Sequence, residues 1–332
     1  MDTEVPLELE TLYAPIADEM AELAGFLERE FFAEEPFLRE LFSQVARFHG
    51  KQLRPALLFL ASKLEGGEAT RDHVKVAAVI ELIHTATLVH DDLLDDAVLR
   101  RRVETVHRRW GDRVAVLLGD YIYSRAFHLS TQVPGMAALL SDATHTICEG
   151  ELLQMGERFR AIDEARYFEI IEKKTATLYA AACEIGGRLA GFDARKCRRL
   201  REFGRELGKA FQIVDDCLDY LGDERVVGKS LGSDLRQGKV TLPLIILLGA
   251  VEDGEKGRLA RLLSAPLSAE DADRIRSRVV EEGAAEESLA RAAEFAKKAR
   301  KLLASAFDGN GGAGSVREKL ELVAEYVVRR KS

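Results

Sequence analysis

Apolar positions along this chain recur with the spacing of helices. Between Val74 and His90, the residues Val76, Val79, Ile80, Ile83, Thr87 and Val89 leave Lys75 and Glu81 as the charged positions. A helix so apolar over several turns is buried nearly all round. Ala176–Leu189 is similar and rich in small residues, which favours close helix packing. No series of alternating Val, Ile and Thr runs separated by tight turns is present, so strands are not predicted. The pattern predicts an all-α bundle. Helix ends are expected at Glu65-Gly66-Gly67, Val133-Pro134-Gly135 and Ala190–Asp193, with Ser268 capping a further helix, a polar loop over Gly222–Gly238 and a last break at Asn310–Gly314. With no repeat and no Pro/Ser-rich linker, residues 1–332 read as one domain.

Composition narrows the class. At 332 residues, 47% hydrophobic and 31% charged, the chain can bury a large core. The longest strongly apolar run, Val240–Val251, is too short for a bilayer span of about 20 residues. An acidic N-terminus, Met1-Asp2-Thr3-Glu4, lacks the pattern of a signal peptide, and a cytoplasmic location is expected. Cys148, Cys183, Cys197 and Cys217 form no C-x-x-C pair, which speaks against zinc or a disulfide framework. The net charge of −8 disfavours nucleic acid as a partner, despite six arginines within Arg100–Arg113.

The chemistry lies in two acidic clusters. Asp91-Asp92-Leu93-Leu94-Asp95 ends the apolar stretch around Val89, and Asp215-Asp216-Cys217-Leu218-Asp219 follows Phe211–Val214. In each, the first and last aspartate are four apart and share a helix face. Two like charges 4 Å apart repel by about 4 kcal/mol at an effective dielectric near 20, so a cation is needed. Carboxylate oxygens suit hard divalent ions, and Mg²⁺ is held by a few carboxylates plus substrate phosphates. Basic residues supply the complement: Lys51 and Arg54 at a helix start, Arg100–Arg102, Lys173 and Lys174, and the glycine-flanked Lys229 and Lys239. Arginine forks and lysine point charges in such a mixture suit phosphate.

Five motifs in order then resemble the trans-isoprenyl diphosphate synthases, the polyprenyl synthetase family. They are G-K-x-L-R-P at Gly50–Pro55, D-D-x-x-D at Asp91–Asp95 with its L-R-R tail, K-T at Lys174-Thr175, F-Q-x-x-D-D-x-x-D at Phe211–Asp219, and G-K…D-L-x-x-G-K-x-T-L-P over Gly228–Pro243. The resemblance implies a bundle of long, mostly antiparallel helices around a central cavity, the isoprenoid synthase fold. It also implies head-to-tail condensation of isopentenyl diphosphate with an allylic diphosphate. Asp91, Asp92, Asp95, Asp215 and Asp219 would hold Mg²⁺, three ions per active site, with Asp91, Asp95 and Asp215 as the direct ligands. Arg100, Lys174, Thr175, Gln212, Lys229 and Lys239 would meet the allylic substrate, and Lys51, Arg54, His84 and Arg101 isopentenyl diphosphate. Two departures stand out: Arg102 replaces the family's usual glycine after L-R-R, and Gln52 stands where Arg or Lys is frequent.

In this family, bulky residues just before the first aspartate cluster floor the chain cavity. Here Ala86, Thr87 and Ile83 stand there with no aromatic ring, which implies a long-chain product beyond C20, of the octaprenyl or heptaprenyl type. Tyr121, Tyr123 and Phe127 on a following helix remain candidates to cap the cavity. A short-chain farnesyl or geranylgeranyl diphosphate synthase is the alternative. A terpene cyclase would not need the second acidic cluster, and a non-catalytic partner subunit would be expected to lose aspartates that this chain keeps. Family members imply a homodimer, with a heterodimer also open, and by analogy the basic C-terminus is a candidate cover for the site.

Overall fold

The computed structural model describes residues 9–48, 50–222, 231–307 and 315–330. The expected all-α bundle is present: α1 (Leu9–Tyr13), α2 (Ala17–Glu30), α3 (Pro36–Ala46), α4 (Leu53–Ser62), α5 (Arg71–Leu94), α6 (Val106–Trp110), α7 (Asp112–Ser130), α8 (Met136–Gly156), α9 (Glu164–Ile171), α10 (Thr177–Leu189), α11 (Ala194–Leu221), α12 (Ser233–Arg236, a short helix within the expected polar loop), α13 (Leu242–Ala250), α14 (Asp253–Leu262), α15 (Ala269–Glu281), α16 (Ala284–Ala306) and α17 (Val316–Arg329). Among the described residues, strand is confined to the two-residue pair β1 (Leu99–Arg100) and β2 (Val103–Glu104). Asp193 caps α11, donated to by the backbone N–H groups of Arg195 and Lys196, and Ser268 accepts from the N–H of Asp271 at the start of α15. The expected break at Asn310–Gly314 lies outside the described residues.

Helix α5 runs through the middle of the core, with Val76, Ala77, Val79, Ile80 and Ile83 inaccessible to water. It packs against α7 and α4, while α10 packs between α4 and α11, and α11 is backed by α16. Helices α10 and α11 are antiparallel. Gly187 meets Leu200, Tyr179 meets Gly204 and Ala176 meets Gly208, so one number falls as the other rises. The same holds for α11 and α16, where Glu206 pairs with Lys298 and the Cys217 thiol donates to the carbonyl of Ala285.

Helices α9 and α10 form one continuous rod with a π-helical turn, Glu172–Ala176, between them. The sequence pattern predicted the helix from Ala176 and did not reveal this wider turn. It is closed by the Thr177 hydroxyl, which donates to the carbonyl of Glu172. Extra residues in a turn rotate the side chains that follow, and such turns are frequent at functional sites. This one carries Lys174 and Thr175.

Candidate active site

A cavity of about 1390 Å³ opens at the C-terminal end of α5. On α5, His84, Thr87, Leu88 and Asp91 recur at helical spacing and line it, as Glu81 does one turn earlier. The face carrying Leu82, Ala86, Val89 and Leu93 turns away from the cavity into the helix packing. This corrects part of the expected floor: Thr87 reaches the cavity, whereas Ala86 and Ile83 are sealed in the core and do not line it. Of the aromatic candidates on α7, Tyr123 lines the cavity, with Phe127 stacked behind it at 6.4 Å between ring centres. Tyr121 points elsewhere and stacks on Phe42.

Both acidic clusters face this space. Asp95, which caps α5, accepts from Arg158 at 2.5 Å and Lys239 at 2.8 Å. Lys174 Nζ sits 3.7 Å from Asp91, bonds Gln154 at 2.9 Å and pairs with Glu151. Burial alone would lower the Lys174 pKa, but Asp91 and Glu151 outweigh it and hold the ammonium above its ordinary value. Across the cavity, Arg330 donates to Asp215 at 3.3 Å while its guanidinium lies 3.9 Å above the Phe211 ring. The C-terminal basic segment therefore reaches the site. Cations thus offset the carboxylate repulsion that the sequence spacing foretold.

Two of the five aspartates are occupied otherwise. Asp92 is buried and forked by Arg100. Asp219 does not line the cavity; it accepts from the Ser233 hydroxyl at 2.9 Å and the Asp234 N–H at 3.0 Å, tying α11 to α12. Asp216, its neighbour one turn back, takes the place in the wall. A relay fixes it: the Tyr167 hydroxyl donates to Asp216 at 2.5 Å, Gln212 donates to it at 2.8 Å, and Thr175 donates to Gln212 at 2.6 Å. Burial, reinforced by Asp234, pushes the Asp216 carboxyl up to about 8.

The basic pocket is assembled from the loop before α4, the first turn of α4, α5 and the hairpin. Lys51, Arg54, His84 and Arg101 line the same cavity. Helix α4 starts without a side-chain cap among the described residues, which leaves its first N–H groups open to an anion. Arg54 stacks on Tyr179 at 4.5 Å, and Lys51 lies 5.5 Å above Tyr326 of α17. Burial, aided by Arg330 and Arg101, lowers Lys51 to about 8. Lys229 lies outside the described residues. Glu81, Glu151, Gln154 and Arg158 also line or bound the site and were not singled out by sequence; each lacks a motif, because helix packing and not spacing brings it there, whereas Asp234 belongs to the last of the five motifs and Arg330 to the basic C-terminus.

The carboxylates fit a divalent metal on their chemistry. Among the described residues, no three of the carboxylate, imidazole or thiol groups converge to hold an ion unaided. Asp91, Asp95 and Asp215 nonetheless present hard oxygen donors to one space, which suits Mg²⁺ completed by phosphate and water.

Comparison with known proteins places this geometry. The polyprenyl synthetase family model matches residues 35–280. The chain belongs to the polyprenyl synthetase family. It is 38% identical over 242 residues to octaprenyl diphosphate synthase of Escherichia coli, covering 72% of this chain and 75% of that one. It is 37% identical over 290 residues to a short chain isoprenyl diphosphate synthase of Methanothermobacter thermautotrophicus, covering 85% and 87%. The fold matches a polyprenyl synthase of Caulobacter crescentus, complexed with calcium and isoprenyl diphosphate, with a TM-score of 0.89, 35% identity and 98% of each chain covered. This polyprenyl synthetase is therefore an isoprenoid synthase fold and a prenyltransferase. None of its described helices is long and apolar enough to cross a membrane.

Proposed function

We propose that this protein is a Mg²⁺-dependent trans-polyprenyl diphosphate synthase that extends farnesyl or geranylgeranyl diphosphate with isopentenyl diphosphate to a product longer than C20. The observation that carries this reading is one cavity lined by two acidic clusters, a separate basic pocket and an apolar wall. Its volume exceeds the ~300–1,000 Å³ usual for small-ligand pockets.

Mg²⁺, held by Asp91, Asp95 and Asp215 with the diphosphate oxygens, would supply Lewis-acid stabilisation of the leaving group. The protein's own part is electrostatic and positional. Lys174 and Lys239, now turned to the aspartates, lie where an allylic diphosphate would take over their charge. Thr175 and Gln212 fix the wall beside it. Lys51, Arg54, His84 and Arg101 hold isopentenyl diphosphate, so its double bond faces the carbon whose C1–O bond ionises. Such positioning makes the coupling nearly unimolecular. Loss of a proton to the released diphosphate completes a chain longer by five carbons. Leu88, Ile147, Ile171 and Leu178 line the cavity with apolar surface, which keeps water from the cation.

The long-chain reading rests on Thr87, the small residue one turn before Asp91 on the cavity wall, with Tyr123 of α7 on the same wall beside His90. The assembly we favour is a homodimer. Leu117 of α7 and Leu152 of α8 stand 68% and 72% exposed, with Val116, Tyr121 and Met155 near them in sequence and also exposed. Exposed apolar surface of this kind marks an interface.

The test incubates purified protein alone with isopentenyl diphosphate, farnesyl diphosphate and Mg²⁺, sizing dephosphorylated products by mass spectrometry, with Asp91→Ala as control. A ladder passing C20 and lost in the variant supports the reading. Products ending at C20 or below would overturn the long-chain part. No product from farnesyl or geranyl diphosphate would overturn the self-sufficient synthase and favour a heteromeric one.

A further inference from the structure

Glu81 is an acid set inside a pocket otherwise built for anions. It stands three residues before His84 on α5, buried, and lines the same cavity as Lys51, Arg54 and Arg101. Two arginines are pinned beside it. The Arg101 guanidinium packs so closely on Gly50 that a Cβ there would lie 2.0 Å from its nitrogens. Arg54 is stacked on Tyr179, and its buried Nε has no hydrogen-bond partner among the described residues. No group among the described residues hydrogen-bonds the Glu81 carboxyl, so its charge is felt through space. The charges that act on it are Arg54 from α4 and Arg101 from the hairpin turn. Tyr13 of α1 and Tyr179 of α10 also face it, both hydroxyls held neutral by burial.

Resting on the isopentenyl diphosphate pocket proposed above, we infer that Glu81 is that pocket's exchangeable counter-charge. Ionised, it balances Arg54 and Arg101 while the pocket is empty, and it takes a proton from solvent when a diphosphate arrives. One O–H bond forms on the carboxyl, the buffer supplies the proton, and no bond of the substrate changes. The physical reason is competition. A diphosphate brings its own negative charge to the same two guanidiniums, and a carboxylate beside it then meets repulsion in place of attraction. The group is poised for this, since burial pushes it up to about 7 against the pull of both arginines. Glu81 is thus a positioning residue, holding two arginines apart from each other's repulsion until the ligand replaces it.

Binding that takes up a proton weakens as pH rises. Lys51, at about 8, acts in the same direction and must be separated. The experiment is calorimetric titration of the full-length protein with isopentenyl diphosphate in EDTA. It is run at several pH values, in buffers of different ionisation enthalpy, for wild type, Glu81→Gln and Lys51→Arg. At pH 7 the wild type is expected to take up roughly half a proton more per site than Glu81→Gln. Lys51→Arg keeps its charge but cannot titrate, and is expected to retain that uptake. It also keeps the test decisive if Glu81→Gln does not fold. At pH 8.5, Glu81→Gln is expected to bind about tenfold more tightly than wild type, with the gap closing by pH 6. A merely structural role would weaken binding at every pH. Equal proton uptake in wild type and Glu81→Gln, or none in Lys51→Arg, would overturn the role of Glu81 while leaving the pocket in place. Absence of metal-free binding to wild type would overturn the pocket and the inference together.

Discussion

Arg100 grips Asp92 through three contacts, with Nε 2.8 Å from both carboxylate oxygens and Nη2 2.7 Å from Oδ1. Asp92 is only 2% exposed, and burial lifts its carboxyl pKa even against this fork. Removing Arg100 leaves a buried carboxylate unpaired. Arg100→Ala is therefore expected to lower unfolding free energy by about 3–5 kcal/mol at pH 7. Asp91, one position earlier and more open, relieves like-charge repulsion when lost. Asp91→Ala is expected to leave stability unchanged or raised while activity falls roughly a thousandfold. Urea unfolding and steady-state rates on both variants check this contrast; equal stability losses would refute it.

The π turn is held between two glycines. A Cβ on Gly150 of α8 would lie 2.5 Å from the Lys174 backbone nitrogen, and one on Gly208 of α11 would lie 2.5 Å from the Ala176 α-carbon. Backbone on both sides leaves no side chain to yield. Gly150→Ala and Gly208→Ala are each expected to cost about 1–3 kcal/mol in stability by overpacking. Both should also lower kcat by up to ~100-fold, because they displace Lys174 and Thr175 by a fraction of an ångström. Gly156→Ala, on the same helix as Gly150 with nothing within 4 Å of the new methyl, is the control expected to change neither.

Leu117 and Leu152 test the proposed assembly. If a second copy covers α7 and α8, Leu117→Glu with Leu152→Glu places charge in an apolar contact. Sedimentation equilibrium is expected to show the wild type at twice the chain mass and the double variant at the chain mass. A wild type that sediments as a monomer would remove the homodimer from the reading.

Periodicity was sufficient for the all-α class and for helices such as α5 and α10, whose buried positions repeat at 3.6 residues. The polar Gly222–Gly238 stretch carries no such repeat, and only its end is described, as α12. The spacing D-D-x-x-D placed Asp91 and Asp95 on one wall, yet the same spacing did not foretell that Asp219 turns to α12 and Asp216 to the cavity. That choice is made by Ser233 and the Asp234 N–H, which no local pattern reports. The π turn was invisible for a similar reason: it packs against Gly150 and Gly208, distant in sequence from Lys174. Arg102 shows the reverse. Its departure from the usual glycine was legible, and the structure supplies the physics. Arg101 and Arg102 form a hairpin turn at φ 51° and 65°, where glycine is favoured.

Product length provides the last prediction. Thr87 sits on the cavity face of α5 and Tyr123 of α7 also lines the cavity, while Ala86 faces the core. A ring at 87 therefore enters the path of the growing chain, and a ring at 86 instead meets packed helices. Thr87→Phe is expected to shift products to C15–C20 with the first condensation little changed, since the diphosphate sites are untouched. Tyr123→Ala is expected to lengthen the ladder, because removing the ring opens space against Phe127. Ala86→Phe is expected instead to cost stability, by about 1–3 kcal/mol of overpacking, more than it shortens products. Mass spectrometry of dephosphorylated products, read beside thermal melting, separates the three. If Ala86→Phe shortens the chain as Thr87→Phe does and melts like wild type, the floor is built from the other face of α5.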